Sequence, residues 1–240
     1  MNKYAVISTD NNPDYYNLVP LCCYSWEKLG FEPLVYIIGD VPGFDIDEFP
    51  IQTMTITGRP NVKDSTLAQL IRLFSWYHPK FQEEDVIITG DCDMIQAKDF
   101  FCEHIGDKFV NFGYDLTGRS ELPICYNLAT AKVWRELMGE YTIPEKAYSD
   151  KWEDYWSVDQ QLLTKRAKEY GFGKIKFVDR GNKNKHGLPT GRWDRHDWNH
   201  IPDDIIDVHM KRNDPQAQLD VFNKLWPNDD DSWLRKFLNV

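Results

Sequence analysis

VIITGDCDMI, residues Val86–Ile95, is the stretch that decides the fold. The apolar run Val86-Ile87-Ile88 ends in Thr89-Gly90, and then two carboxylates, Asp91 and Asp93, flank Cys92. A short apolar run stopped by glycine reads as a strand buried on both faces. Two carboxylates just past its end repel one another unless a cation sits between them or a proton is retained. Asp-x-Asp occurs three times, at Asp45/Asp47, Asp91/Asp93 and Asp229/Asp231, but only the middle copy follows such a strand.

Working outward, strand-like runs recur at Tyr4–Ser8, Leu34–Ile38 and Gln52–Ile56, with Asp85–Thr89 as the fourth. Helical patterns lie between them, over about Tyr15–Leu29, ending at Gly30, and about Ser65–Tyr77, stopped before Pro79. In the second, Leu67, Leu70, Ile71 and Phe74 share one face. Alternation of this kind predicts an α/β fold with a mainly parallel sheet flanked by helices. Sites in such sheets gather at the carboxyl ends of strands, where Asp10, Asp40 and Asp91 fall.

The second half is less regular. Strands are predicted at Phe109–Phe112, Ile124–Leu128, Ile175–Val178 and Ile205–His209, and helices at Ala131–Met138, Val158–Tyr170 and Gln216–Leu225. A mixed sheet suits these pieces better than a continued parallel one. Gly181–Trp198 has no periodicity and reads as a long loop, and Asp229–Val240 reads as a short helix. With no repeat or linker, one domain over 1–240 is expected, with its core at about 4–212 and a helical extension at 213–240.

Composition narrows the function. The 240 residues carry 42% hydrophobic side chains, nine Trp and a net charge of -10, which describes a folded chain that repels polyphosphate. No nucleic-acid partner is expected, and a phosphate-bearing ligand needs a local cation. Five cysteines, an odd number with no Cys-x-x-Cys, argue for reduced thiols and against a zinc ribbon. The apolar segment near the N-terminus is too short for a signal peptide or membrane span, and no glycosylation sequon occurs. A cytoplasmic protein is the expectation.

His209 adds a candidate ligand. It closes the run Ile205-Ile206-Asp207-Val208 and precedes Lys211 and Arg212. A neutral imidazole completes a site begun by carboxylates, and the two cations suit phosphate oxygens. Imidazole with carboxylate favours Mn²⁺, with Mg²⁺ as the alternative. His196 and His200 stand i, i+4 as zinc ligands on a helix do, but Pro202 and polar neighbours argue against a helix there.

Six segments in order resemble the GT-A glycosyltransferases, especially the small galactosyl- and glucosyltransferases related to glycogenin and the bacterial lipopolysaccharide transferases; some virus-encoded hexosyltransferases share the layout. The segments are VISTDNN (Val6–Asn12), TLAQLIRLF (Thr66–Phe74), IITGDCDMI, ICYNLA (Ile124–Ala129), VDQQLL (Val158–Leu163) and DVHMKR (Asp207–Arg212). The resemblance implies a GT-A-like fold and transfer of a hexosyl group from a nucleotide diphosphate sugar, a UDP-sugar first, to a glycan or glycoconjugate. It implies a base pocket at Thr9 and Asp10, donor contacts from Arg72, Asp91, Cys92, Asn127 and Lys211, and a metal held by Asp91, Asp93 and His209. Asp159 faces the sugar as the catalytic candidate, either as general base or as a stabiliser of positive charge; as a first-turn acid it equally suits its helix dipole. The glycine that follows the asparagine in the family's segment is absent here, and so is the family's Gly-x-Lys-Pro-Trp, so the sugar and its stereochemical outcome stay open. A sugar-nucleotide nucleotidyltransferase is disfavoured by STDNNPDYY, which lacks a glycine-rich phosphate loop. A non-catalytic sugar-nucleotide-binding module and a metal-dependent phosphohydrolase remain rivals. The basic residues of Gly181–Trp198, namely Lys183, Lys185, Arg192 and Arg195, suggest a lid over a diphosphate.

Overall fold

The structure, a computed structural model, describes residues 1–39, 52–58, 61–113, 121–143, 157–178 and 191–240. Asp40, the Asp45/Asp47 pair and residues 181–190, with Lys183 and Lys185, lie outside them. The four early strands form where the apolar runs predict: β1 (Lys3–Thr9), β2 (Glu32–Ile38), β3 (Gln52–Ile56) and β4 (Val86–Gly90). They pair in parallel, and β7 (Tyr126–Thr130), β6 (Phe109–Asn111) and β8 (Ile175–Phe177) extend the sheet beyond β4 in the order β3-β2-β1-β4-β7-β6-β8. Only β7 runs against the others, antiparallel to both β4 and β6. The expected mixed, mainly parallel sheet is therefore observed.

Burial on both faces explains the unbroken apolar runs. Along β1, Ala5 and Ile7 point to one core and Tyr4 and Val6 to the other, as the two-residue period of a strand requires. The first face is covered by α2 (Val19–Lys28), whose Trp26 is fully buried against Phe31, Phe101 and Tyr126. The second is covered by α3 (Asp64–Ile71), α4 (Ala131–Met138) and α5 (Val158–Tyr170). Thr130 caps α4 by accepting from the Val133 N–H, Gly139 ends the helix at φ +63°, and the Trp134 indole donates to the Ile87 carbonyl.

Several boundaries differ from expectation. The helix expected over Tyr15–Leu29 is two: α1 (Pro13–Tyr16) and α2. Pro20 in the first turn of α2 has no N–H to give to the preceding turn, which favours a fresh start there. The Ser65–Tyr77 helix tightens to 3-10 geometry over Arg72–Tyr77. β7 starts two residues later than predicted, because the Ile124 carbonyl accepts from the Asn127 side chain instead of a neighbouring strand.

A second sheet was not expected. β5 (Met94–Gln96), β10 (Asp207–His209) and β9 (Arg192–Asp194) form it in the order β5-β10-β9. β9 falls inside the stretch read as a loop. Gly191 precedes it at φ +83°, a backbone conformation that favours glycine, and a Cβ there would meet the Ile206 side chain at 2.9 Å. At the C-terminus, α6 (Pro215–Leu225), capped by Asp214, and α7 (Ser232–Leu238) complete the molecule as predicted. No helix among the described residues is long and apolar enough to cross a membrane.

Candidate functional site: a charged cleft at the strand ends

The chain builds β1, β2 and β3 outward in one direction and then returns to place β4 on the other side of β1. At such a reversal the connections leave a crevice beyond the carboxyl ends of the two central strands. A cleft of about 470 Å³ opens there, a size suited to a small-molecule ligand. Asp10, Arg72, Asp91, Asp93, Asp159, Arg192, Arg195 and His209 all line it.

One wall is built by α3, β4 and α5. Arg72 is buried, 5% exposed, where α3 passes into the 3-10 turn. Its guanidinium donates to the Gly90 carbonyl at 3.1 Å, to Asp159 Oδ2 at 2.9 Å and, very closely, to Asp91 Oδ1. Asp159, in the first turn of α5, also accepts from the Gln160 N–H at 2.8 Å. Burial pushes the Asp159 carboxyl above the usual carboxylate range, and Asp91 pushes the same way; Arg72 opposes both. Arg72 is nonetheless held more firmly charged than a free guanidinium, because two carboxylates together outweigh its burial. Both pKa values are raised: one cation is shared by two anions, which holds the guanidinium charged and leaves the buried Asp159 incompletely compensated.

The opposite wall is the small sheet. Cys92 is sunk into the core, and burial raises its thiol well above the ordinary value. Asp93 is held at its carbonyl by the Met210 N–H at 2.9 Å, which ties the Asp-x-Asp turn to the end of β10. Its carboxylate receives Arg195 Nη1 at 2.9 Å, with His209 Nε2 3.5 Å from the same oxygen. The other ring nitrogen, Nδ1, faces Asp194 Oδ2 at 3.0 Å, and the second oxygen of Asp194 accepts from the His196 N–H at 2.9 Å. Burial alone would lower the His209 pKa, but Asp194 and Asp93 reverse this and raise it. Correspondingly both carboxylates lie below the usual range, since the imidazole outweighs the desolvation that would raise them.

The structure thus brings Asp91, Asp93, His209, Arg72, Asp159, Cys92, Thr9 and Asp10 to one cleft. Thr9 donates to the Asp10 carbonyl, and the Asp10 carboxylate accepts from the Asn12 N–H; Asn12, not Asp10, caps α1. Two expected donor contacts do not reach the cleft. Asn127 is fully buried, with its amide engaged by Asn111 and the Ile124 carbonyl. Lys211 lies over the Trp198 ring, 4.8 Å from its centroid. Asp194 is the residue that the sequence did not single out for this site, and Arg192 and Arg195, expected only as basic residues of a lid, line it as well. Arg192 holds Asp207 through two bonds of 3.0 Å.

The donor set suits a divalent cation. Asp194 fixes the His209 ring so that Nε2 points at Asp93, the carboxylate-to-histidine support common behind metal ligands. Asp194, His196 and His209 also form a tight group, but an ion there would have to displace the hydrogen bond on Nδ1. The residues after β9 form turns and not a helix, so His196 and His200 do not make a helical zinc pair.

No protein-family model and no curated protein matches the chain. Among solved structures, the chain is similar to the galactosyltransferase LgtC in complex with donor and acceptor sugar analogs, with 11% identity and a TM-score of 0.49 over 97% of this chain and 99% of that one. It is also similar to an active-site mutant of LgtC, with 10% identity and a TM-score of 0.49 over 85% of this chain and 86% of that one.

Proposed function

We propose that the protein is a metal-dependent glycosyltransferase that moves a hexosyl group from a nucleotide diphosphate sugar, a UDP-sugar first, to a glycan or glycoconjugate. The observation that carries this reading is the pairing of Asp93 and His209 on one oxygen, at the strand-end cleft that also holds Asp91, Asp159 and Arg72. Asp93 and His209 would hold Mn²⁺, or Mg²⁺ in its place, with Asp91, paired with Arg72 on the opposite wall, as a further candidate ligand. The cation supplies Lewis-acid stabilisation of the negative charge that grows on the departing diphosphate.

The chain's own residues do the rest. Arg72 bridges Asp91 and Asp159 and fixes both carboxylates on one wall of the cleft. Thr9 and Asp10, at the end of β1, offer a hydroxyl and a carboxylate to a base N–H. Asp159 faces the sugar, where its carboxylate either takes a proton from the acceptor hydroxyl or stabilises positive charge on the ring carbon.

A panel of nucleotide sugars screened for Mn²⁺-dependent thermal stabilisation tests the donor class, because a ligand that binds the folded state raises stability by mass action. The matching donor, incubated with acceptor candidates, should release intact nucleoside diphosphate. Release of inorganic phosphate would indicate a phosphohydrolase. Stabilisation without turnover on any acceptor would indicate a binding module.

A further inference from the structure

Three arginines line the cleft, and two are each held by more than one hydrogen bond. Arg72 holds Asp91, Asp159 and the Gly90 carbonyl, and Arg192 grips Asp207 with two parallel bonds. Among the described residues Arg195 makes one bond, to Asp93 Oδ2, from the turn that follows β9. It is the more open member of its pair, with its side chain 18% exposed against 9% for Asp93. The oxygen that it occupies is the one that His209 also approaches. The guanidinium therefore stands on the donor atom that a divalent cation would need.

We infer that Arg195 is a displaceable counter-ion, which neutralises Asp93 when the divalent cation is absent and is released by that cation to bind the diphosphate of the nucleotide. This rests on the metal-dependent reading above. A buried carboxylate without a partner is costly, so in the metal-free protein Arg195 and His209 share the charge of Asp93. A divalent ion and a guanidinium on one oxygen repel each other, and the mobile one leaves. β9 anchors the Arg195 backbone beside the cleft, so the released head stays within reach of phosphate oxygens, which suit its planar fork. Metal and nucleotide then strengthen each other's binding, and by linkage the strengthening is mutual.

The test measures Mn²⁺ binding to the full chain without nucleotide, by electron paramagnetic resonance of free Mn²⁺, and UDP binding at saturating Mn²⁺, by calorimetry. Arg195→Gln should bind Mn²⁺ alone about tenfold more tightly and UDP about tenfold more weakly, the scale of one charge-assisted hydrogen bond. Arg195→Lys keeps the charge without the fork. It should bind Mn²⁺ as the wild type does and UDP more weakly. A Gln variant with unchanged Mn²⁺ affinity, or either variant with wild-type UDP affinity, overturns the inference while leaving the metal reading intact. Wild-type protein that takes up no Mn²⁺ removes that reading and the inference with it, before any variant is made.

Discussion

The two walls of the cleft hold their charges in different ways. On the α3–β4–α5 wall one buried guanidinium is locked to two carboxylates and a backbone carbonyl, on elements that are packed into the core. On the small-sheet wall the charges are chained, from Asp194 to His209 to Asp93 to Arg195, on three-residue strands and the turn beyond. The first wall is preorganised and has little freedom to respond to a ligand. The second ends in a partly exposed arginine, where we propose that a cation exchanges. A ligand that carries both a metal and phosphates meets a fixed wall and an exchangeable one.

The largest expected difference between the walls is in stability. Arg72→Met leaves Asp159 buried with no cation and should cost ~3–5 kcal/mol in denaturant unfolding. Arg195→Gln should cost no more than ~1 kcal/mol, since water reaches the arginine and His209 remains on Asp93. Equal losses would erase the distinction.

Next comes the chemistry of the fixed wall. Asp159→Asn keeps the shape of the side chain and should slow sugar transfer at least ~100-fold while donor binding stays near normal, the scale of losing a general acid or base. Parallel losses in donor affinity and rate, measured by calorimetry and steady-state kinetics, would make Asp159 a donor-positioning group.

On the exchangeable wall, Asp194→Asn should weaken Mn²⁺ binding ~10- to 100-fold without removing a ligand, because the imidazole loses the carboxylate that orients it. An unchanged affinity would place Asp194 outside the metal's support.

The smallest effect expected is a pH dependence. In the metal-free protein the His209 pKa is raised by Asp194 and Asp93, so its stabilising contribution is full below the ordinary imidazole pKa and is lost as pH rises through the raised one. Mn²⁺ competes with that proton, so its affinity should climb over the same interval and level off above it. Titrations between about pH 6 and about pH 8.5 check this, and a flat affinity would mean that His209 does not lose a proton on binding.

The contrast between the walls also governs what could be read in advance. β1 to β4 are apolar runs buried on both faces, so their positions and the cleft between them followed from hydrophobic pattern alone. Asp91, Asp93 and Asp10 were legible because they sit just past such runs. β9 was not, since Arg192-Trp193-Asp194 spends its two polar side chains on ion pairs and shows no strand periodicity. Asp194 was hidden with it, while Arg195 was read only as a basic residue of a loop. The one available signal was the density of Trp, Asp, Arg and His over residues 192–198, unusual for a solvated loop. Asn127 lies outside the cleft for the opposite reason: its position in the chain fitted, but β6 and β7 pair so that the Asn111 amide donates to its side-chain oxygen. A motif fixes a residue's place in sequence, whereas register decides which way it faces.

The claim that joins both walls is that Asp93 and His209 together hold the cation on which nucleotide binding depends. Calorimetry of the wild type, Asp93→Ala and His209→Ala with UDP, in the presence and absence of Mn²⁺, tests it directly. The account predicts UDP binding by the wild type only when Mn²⁺ is present, and none by either variant, with both variants still folding cooperatively. Wild-type-like binding by either variant, or equal UDP affinity in the wild type with and without Mn²⁺, would contradict it.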